Sequence, residues 1–148
     1  MQITRAGEYG VLGLMHLARC HPGQRAMIDE MSRQEGIPKS FLAKIFQNLA
    51  KAGLVRSVRG SGGGFALARS PAEISVLEIV EAVEGRIVFQ RCKQDKPECE
   101  HIGGCALCSL FERAQDGVKD VLTRTSLRDL IQQQEERNAA AALHVASN

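Results

Sequence analysis

Residues 91–111 read RCKQDKPECEHIGGCALCSLF and hold four of the chain's five cysteines, Cys92, Cys99, Cys105 and Cys108, spaced C-x6-C-x5-C-x2-C. Lys, Gln, Asp, Pro and Glu separate them, so the stretch is too polar for a core and too irregular for a strand. Gly103 and Gly104 permit a sharp turn, and an apolar period begins at Cys105. The pattern predicts a loop running into a helix start. Cys105 and Cys108 then share one face of the first turn, with the positive end of the helix dipole toward their sulfurs. Two thiolates from a helix start and two from a loop can converge on a metal.

Three chemistries compete for these thiols. Met1 leads directly into an amphipathic pattern with no signal-peptide run, so the expectation is a cytoplasmic protein, where disulfides are disfavoured. Zinc takes four cysteines, but its usual signature is two C-x2-4-C knuckles, and only Cys105–Cys108 qualifies. An iron–sulfur cluster also takes four thiolates and tolerates looser spacing. The cysteines alone leave the metal open. Cys20 has no neighbour at ligand spacing and reads as a small, partly buried residue.

The elements that must position this loop follow from the remaining periodicity. Thr4 caps a first helix running to about Arg19, with Val11, Leu14, Met15 and Ala18 at helical spacing and Gly7, Gly10 and Gly13 offering close approach to another helix. A short second helix, about Ala26 to Gln34, is expected to bury Met27, Ile28 and Met31, and Gly36 stops it. Pro38 opens a third helix to Ala52, with Phe41, Ile45, Leu49 and Ala52 inward and Lys39, Ser40, Ala43, Lys44, Gln47 and Lys51 outward. Two helices across a tight glycine turn fit a helix-turn-helix, or an ordinary helical hairpin with a soluble side.

The next residues decide between them. Leu54–Arg59 alternates as a strand, Gly60-Ser61-Gly62-Gly63-Gly64 forms a tip, and Phe65–Ala68 returns as a second strand. A glycine-tipped hairpin directly after a helix-turn-helix is a wing. A nucleotide loop is excluded, because no Gly-Lys-Ser/Thr follows and the glycines precede a strand, not a helix. Charge agrees: residues 1–70 carry ten Lys/Arg against four Asp/Glu, net +6, whereas residues 71–148 carry nine against thirteen, net −4. No acid lies between Glu35 and Glu73. Such asymmetry points to a polyanion partner for the first half.

Ser75 and Glu78 form a capping-box pattern for a fourth helix ending at Gly85, and Ile87-Val88-Phe89 lead into the cysteine loop. A long helix follows Cys105, with Leu107, Leu110, Phe111, Ala114, Val118, Val121 and Leu122 in a near-heptad stripe that suits a partner helix, hence a homodimer. Ser126 starts a short last helix, and residues after 138 read as a loose tail. The expected organisation is mainly α with a small β wing. A winged helix-turn-helix domain spans residues 1–85, a cluster-binding loop 86–104, and a dimerisation helix with a short C-terminal helix 105–137. No catalytic set appears: His16, His21, His101 and His144 are scattered, and no paired-carboxylate motif accompanies them.

With these segments in place the chain resembles the IscR-type family of iron–sulfur-sensing bacterial transcription regulators. The likeness runs from Met1 to about Gln134. It is carried by Ile3 to Tyr9, Gly36-Ile37, Ser40-Phe41-Leu42, Gly53-Leu54-Val55, Val58 to Phe65 and the cysteine loop. It implies a dimeric winged helix-turn-helix binding a double-stranded DNA operator, with a cluster held at Cys92, Cys99 and Cys105 whose state changes that binding. A 2Fe–2S cluster is favoured over 4Fe–4S, with the iron–sulfur assembly machinery as candidate donor. Some members carry a histidine where Cys108 stands, and in nitric-oxide-sensing relatives an acid near the start of helix 1 reaches the partner subunit's cluster, at the place of Glu8. Cys108 is the favoured fourth ligand, as the softer donor, and Glu8 the alternative. His101 is expected on the surface. Ser40, Ala43, Lys44 and Gln47 are the expected base readers. Lys39, Lys51 and Arg56 would hold phosphates, and Arg59 with Ser61 and Gly62 would serve the wing. Members reading one particular operator have an acid where Ala43 stands, so that operator is not expected here. The rival reading is a zinc-stabilised or thiol-redox-switch protein acting as an interaction scaffold.

Overall fold

The computed structural model describes residues 3–20, 24–60, 62–89 and 105–146. Helix α1 (Arg5–Arg19) is capped by the Thr4 hydroxyl, which accepts from the Ala6 N–H at 3.1 Å. Helices α2 (Ile28–Glu35) and α3 (Lys39–Lys51) meet across Gly36, which ends α2 at φ 66°. Strands β1 (Val55–Ser57) and β2 (Phe65–Leu67) pair antiparallel, with Val55 opposite Leu67 and Ser57 opposite Phe65. A 3-10 turn (Pro71–Glu73) then precedes α4 (Val76–Glu84), α5 (Ala106–Arg124) and α6 (Leu127–Ala146).

The core gathers Leu14 and Leu17 of α1, Met31 of α2, Leu42, Ile45, Phe46 and Leu49 of α3, Leu54 and Val55 at the wing base, Ile79 of α4 and Leu127 of α6. The glycines of α1 face inward, as expected. A Cβ on Gly13 would lie 2.7 Å from the Phe46 ring, so α1 and α3 sit closer than any side chain there would allow. Phe46 is fully buried, and removing a ring from such a site typically costs about 3–5 kcal/mol.

The starts of α4 and α6 lie side by side. The Val76 N–H donates to the Thr125 carbonyl at 2.9 Å, and the Leu127 N–H to the Ile74 carbonyl at 2.8 Å. Both helices open with matching caps, Ser75 with Glu78 and Ser126 with Asp129. The long α5 therefore leaves the domain and its chain returns at Leu127.

Four expectations are corrected. Helix α2 begins at Ile28, not Ala26, because Ala26 forms an isolated antiparallel bridge to Phe65 of the wing. Met27 is therefore the residue before the helix, 39% exposed instead of buried. On α3 the inward positions are 42, 45, 46 and 49, the i, i+3, i+4, i+7 set of a helix beginning at Lys39. Phe41 falls outside that set and is 45% exposed, edge-on to Tyr9 with ring centroids 5.9 Å apart; Ala52 lies past the helix end and is exposed. Finally, α6 continues to Ala146 across residues read as a loose tail. The run Ala139–Ala142 has the best helix propensity and loses no side-chain entropy, so the helix extends beyond its apolar residues.

Candidate nucleic-acid interface and cysteine site

With its apolar side buried, α3 turns Ser40, Lys44, Gln47 and Lys51 to solvent, while Ala43 is half-buried at the edge of that face. Lys39 is exposed too, but its Nζ lies 2.6 Å from Asp29 of α2. A surface pair of this kind holds about 0–1 kcal/mol and yields readily to a phosphate. Lys44, Lys51, Arg56 and Arg59 form no ion pair among the described residues. The acid-free interval from residue 36 to 72 explains this: no carboxylate is near in sequence to neutralise them. Arg69 differs, since its guanidinium donates to Glu78 at 2.7 Å and to the Glu73 carbonyl at 3.2 Å. It braces the turn before α4.

The wing stands beside α3. Arg56 and Arg59 are exposed, on β1 and just past it, and Gly62 is exposed at the tip; Ser61 lies outside the described residues. Gly64 has φ 132°, and a Cβ there would meet the Ala26 carbonyl oxygen at 2.8 Å, so only glycine lets the wing reach the Ala26 segment. That segment supplies residues the sequence pattern did not mark. Arg25 brings a guanidinium nitrogen to within 3.7 Å of where a Gly60 Cβ would sit, and the Met27 sulfur lies 3.4 Å from the equivalent point on Gly62. A single bridging residue is too short to produce alternation. The available signal was the basic Arg25 beside a small residue just ahead of α2.

At the other end of the chain, Cys105 is the residue before α5, in extended conformation, and Cys108 lies one turn on, its N–H donating to the Cys105 carbonyl at 3.0 Å. Both cysteines are half-buried. Cys92, Cys99 and His101 lie outside the described residues, and among the described residues no three potential metal-binding side chains come together. Thiols at i and i+3 on a helix start suit a soft metal, so the donor chemistry fits an iron–sulfur group. Glu8 is exposed on the first turn of α1. Cys20 is set apart: burial, then the Glu30 charge, push its thiol pKa up, and the sulfur lies 3.7 Å from the His16 carbonyl. His16 is occupied as well, with Nδ1 2.9 Å from Glu35 Oε1.

A helix-turn-helix with a basic, hydrogen-bonding outer face and a glycine-tipped wing at its side defines a winged-helix DNA-binding transcription regulator. The chain belongs to the Rrf2 family, whose model, described as an iron-dependent transcriptional regulator, matches residues 3–133. It is 32% identical over 140 residues to the HTH-type transcriptional regulator IscR of Photorhabdus laumondii, covering 95% of this chain and 85% of that protein. The Escherichia coli IscR is 31% identical over 144 residues, covering 97% and 88%. Among solved structures, CymR, the global cysteine regulator of B. subtilis, superposes with TM-score 0.75 at 28% identity, covering 90% of this chain and 98% of that one. The T. potens IscR does so with TM-score 0.74 at 28% identity, covering 93% and 90%. These relatives are transcription regulators, not enzymes. No helix among the described residues is long and apolar enough to cross a membrane.

Proposed function

We propose that the protein is a cytoplasmic homodimer that binds operator DNA with an affinity set by an iron–sulfur cluster. The observation that carries this reading is the pair Cys105 and Cys108, thiols one turn apart at the start of the helix that follows the DNA-reading domain. Cys92, Cys99, Cys105 and Cys108 would hold the cluster, with Glu8 of α1 as the alternative fourth donor. When bound, the cluster supplies a redox- and ligand-sensitive crosslink between the loop and α5. The chain's own residues do the rest. Ser40, Ala43, Lys44 and Gln47 face base edges, and Lys39, Lys51 and Arg56 hold phosphates. Arg59, Ser61 and Gly62 carry the wing toward the minor groove.

Dimerisation is supported by the exposure of Leu107, Leu110, Phe111 and Val121 along α5, at 59%, 54%, 44% and 63%. Binding two operator half-sites requires the two α3 helices of a dimer about 34 Å apart, one turn of DNA. Ligation acts by favouring one such arrangement over another. The matching family description and the IscR relatives support the iron reading.

A second reading is a thiol switch. It draws on CymR among the solved structures, one of them an oxidised form from Staphylococcus aureus, and on the same two thiols. Purification under anaerobic conditions separates the two. Visible absorbance with stoichiometric iron and sulfide supports the cluster; a colourless, iron-free protein whose DNA affinity follows thiol oxidation supports the switch.

A further inference from the structure

The last turn of α4 reaches across the fold to cap α1. Glu84 Oε1 accepts from the Thr4 N–H at 3.0 Å, the Thr4 hydroxyl at 2.6 Å and the Gly7 N–H at 2.9 Å. One carboxylate oxygen thus serves three donors in the first turn of a helix remote in sequence. A negative charge there also sits against the positive end of α1. Gly7 is shaped to this contact, since a Cβ at that position would lie 2.8 Å from the same oxygen.

The clasp sits between the two functional parts. On one side, Gly85 ends α4 and the chain turns toward the cysteines, held by the Ile87 N–H on Glu81 at 3.2 Å and the Phe89 N–H on Gln115 of α5 at 3.1 Å. On the other side, the clasped turn carries Glu8, and α1 continues as a rod against α3, through Gly13 on Phe46 and Tyr9 on Phe41. A cleft of about 210 Å³ lined by Ile3, Val80, Glu84, Arg86 and Ile87 adjoins the carboxylate and gives it room to turn away.

We propose that Glu84 is the positioning residue through which the ligation state of the cysteine segment reaches the DNA-reading helix, by holding or releasing the first turn of α1. The inference rests on the reading above that ligation sets DNA affinity. Its test is the ratio of operator affinities between cluster-loaded and cluster-free full-length protein, measured for wild type, Glu84→Ala, Glu84→Gln and Gly7→Ala, with melting temperatures alongside. The wild-type ratio should fall in the range of about 5–150-fold usual for coupled sites. Glu84→Ala should bring it close to one while the affinity of the cluster-free form is retained. Glu84→Gln keeps an acceptor oxygen and should keep most of the ratio. Gly7→Ala evicts the carboxylate yet favours the helix, so it should reproduce Glu84→Ala without lowering the melting temperature. If both affinities fall together with the melting temperature and the ratio is intact, Glu84 is merely structural and the inference is overturned. A wild-type ratio of one removes the regulatory reading and this inference with it, whereas a large ratio retained in Glu84→Ala and Gly7→Ala removes the inference alone.

Discussion

Ala26 and Phe65 exchange both backbone hydrogen bonds, Ala26 N–H to the Phe65 carbonyl at 3.0 Å and Phe65 N–H to the Ala26 carbonyl at 2.9 Å. The wing is thereby fastened to the segment that enters the helix-turn-helix. Gly64, next to this pair, combines φ 132° with a Cβ position 2.8 Å from the Ala26 carbonyl oxygen. Gly64→Ala should cost about 1–3 kcal/mol, the usual range for a strained backbone position, and should weaken DNA binding by displacing the wing. Urea unfolding checks it; unchanged stability would mean that the wing is not held through this contact.

Lys51 and Arg56 are exposed cations with no ion pair among the described residues. Replacing either by Ala should weaken operator and non-specific DNA alike and reduce the slope of log K against log salt by about 1. Lys44→Ala should instead cost about 1–3 kcal/mol on the preferred operator and relax selectivity at one position. Fluorescence anisotropy over a salt series distinguishes the two behaviours. If Lys44→Ala changes only the salt slope, that residue holds a phosphate.

Leu110 and Phe111 are exposed on α5, so Leu110→Asp should leave the fold intact and disrupt the dimer. Sedimentation velocity at micromolar concentration should show a dimer for the wild type and a monomer for the variant. A wild-type monomer would contradict the proposed two-fold arrangement.

The elements that were legible in the sequence are those whose signals are local. Thr4, Ser75 with Glu78, and Gly36 marked helix ends because capping and left-handed turns are decided within a few residues. The glycine-tipped hairpin marked the wing for the same reason. What escaped depends on contacts between distant segments. Ala26 joins the wing only because Phe65 lies opposite, and Phe41 faces outward because Phe46, not its own apolar character, fills the core beneath α3. The Glu84 clasp spans 80 residues and leaves no periodic trace. In the cysteine site, Gly103-Gly104 and the apolar period beginning at Cys105 placed Cys105 and Cys108 at a helix start. Cys92 and Cys99 lie outside the described residues, and spacing does not encode the conformation of a loop.

Acid should loosen the α4 start. Burial raises the Glu78 carboxyl, but hydrogen bonds from Arg69 and from the Ser75 backbone and hydroxyl, together with the Arg69 charge, outweigh it and hold the pKa below the ordinary glutamate value. At Asp129 the Ser126 hydroxyl and N–H lower the pKa likewise. A carboxylate depressed in the folded state stabilises fully above its unfolded pKa, and that stability is lost as pH falls through the folded one. Melting temperature should therefore drop from the ordinary carboxylate range downward, and Glu78→Gln should flatten the drop. An identical acid limb in wild type and Glu78→Gln would refute the assignment.

The most direct measurement is operator affinity of the anaerobically purified protein before and after cluster removal, with iron and sulfide quantified on the same samples, beside a Cys105→Ser variant. The wild type should contain iron and sulfide, its affinity should change when they are removed, and the variant should behave as the cluster-free form. An iron-free wild type that binds DNA identically with and without Cys105 would contradict the iron–sulfur reading.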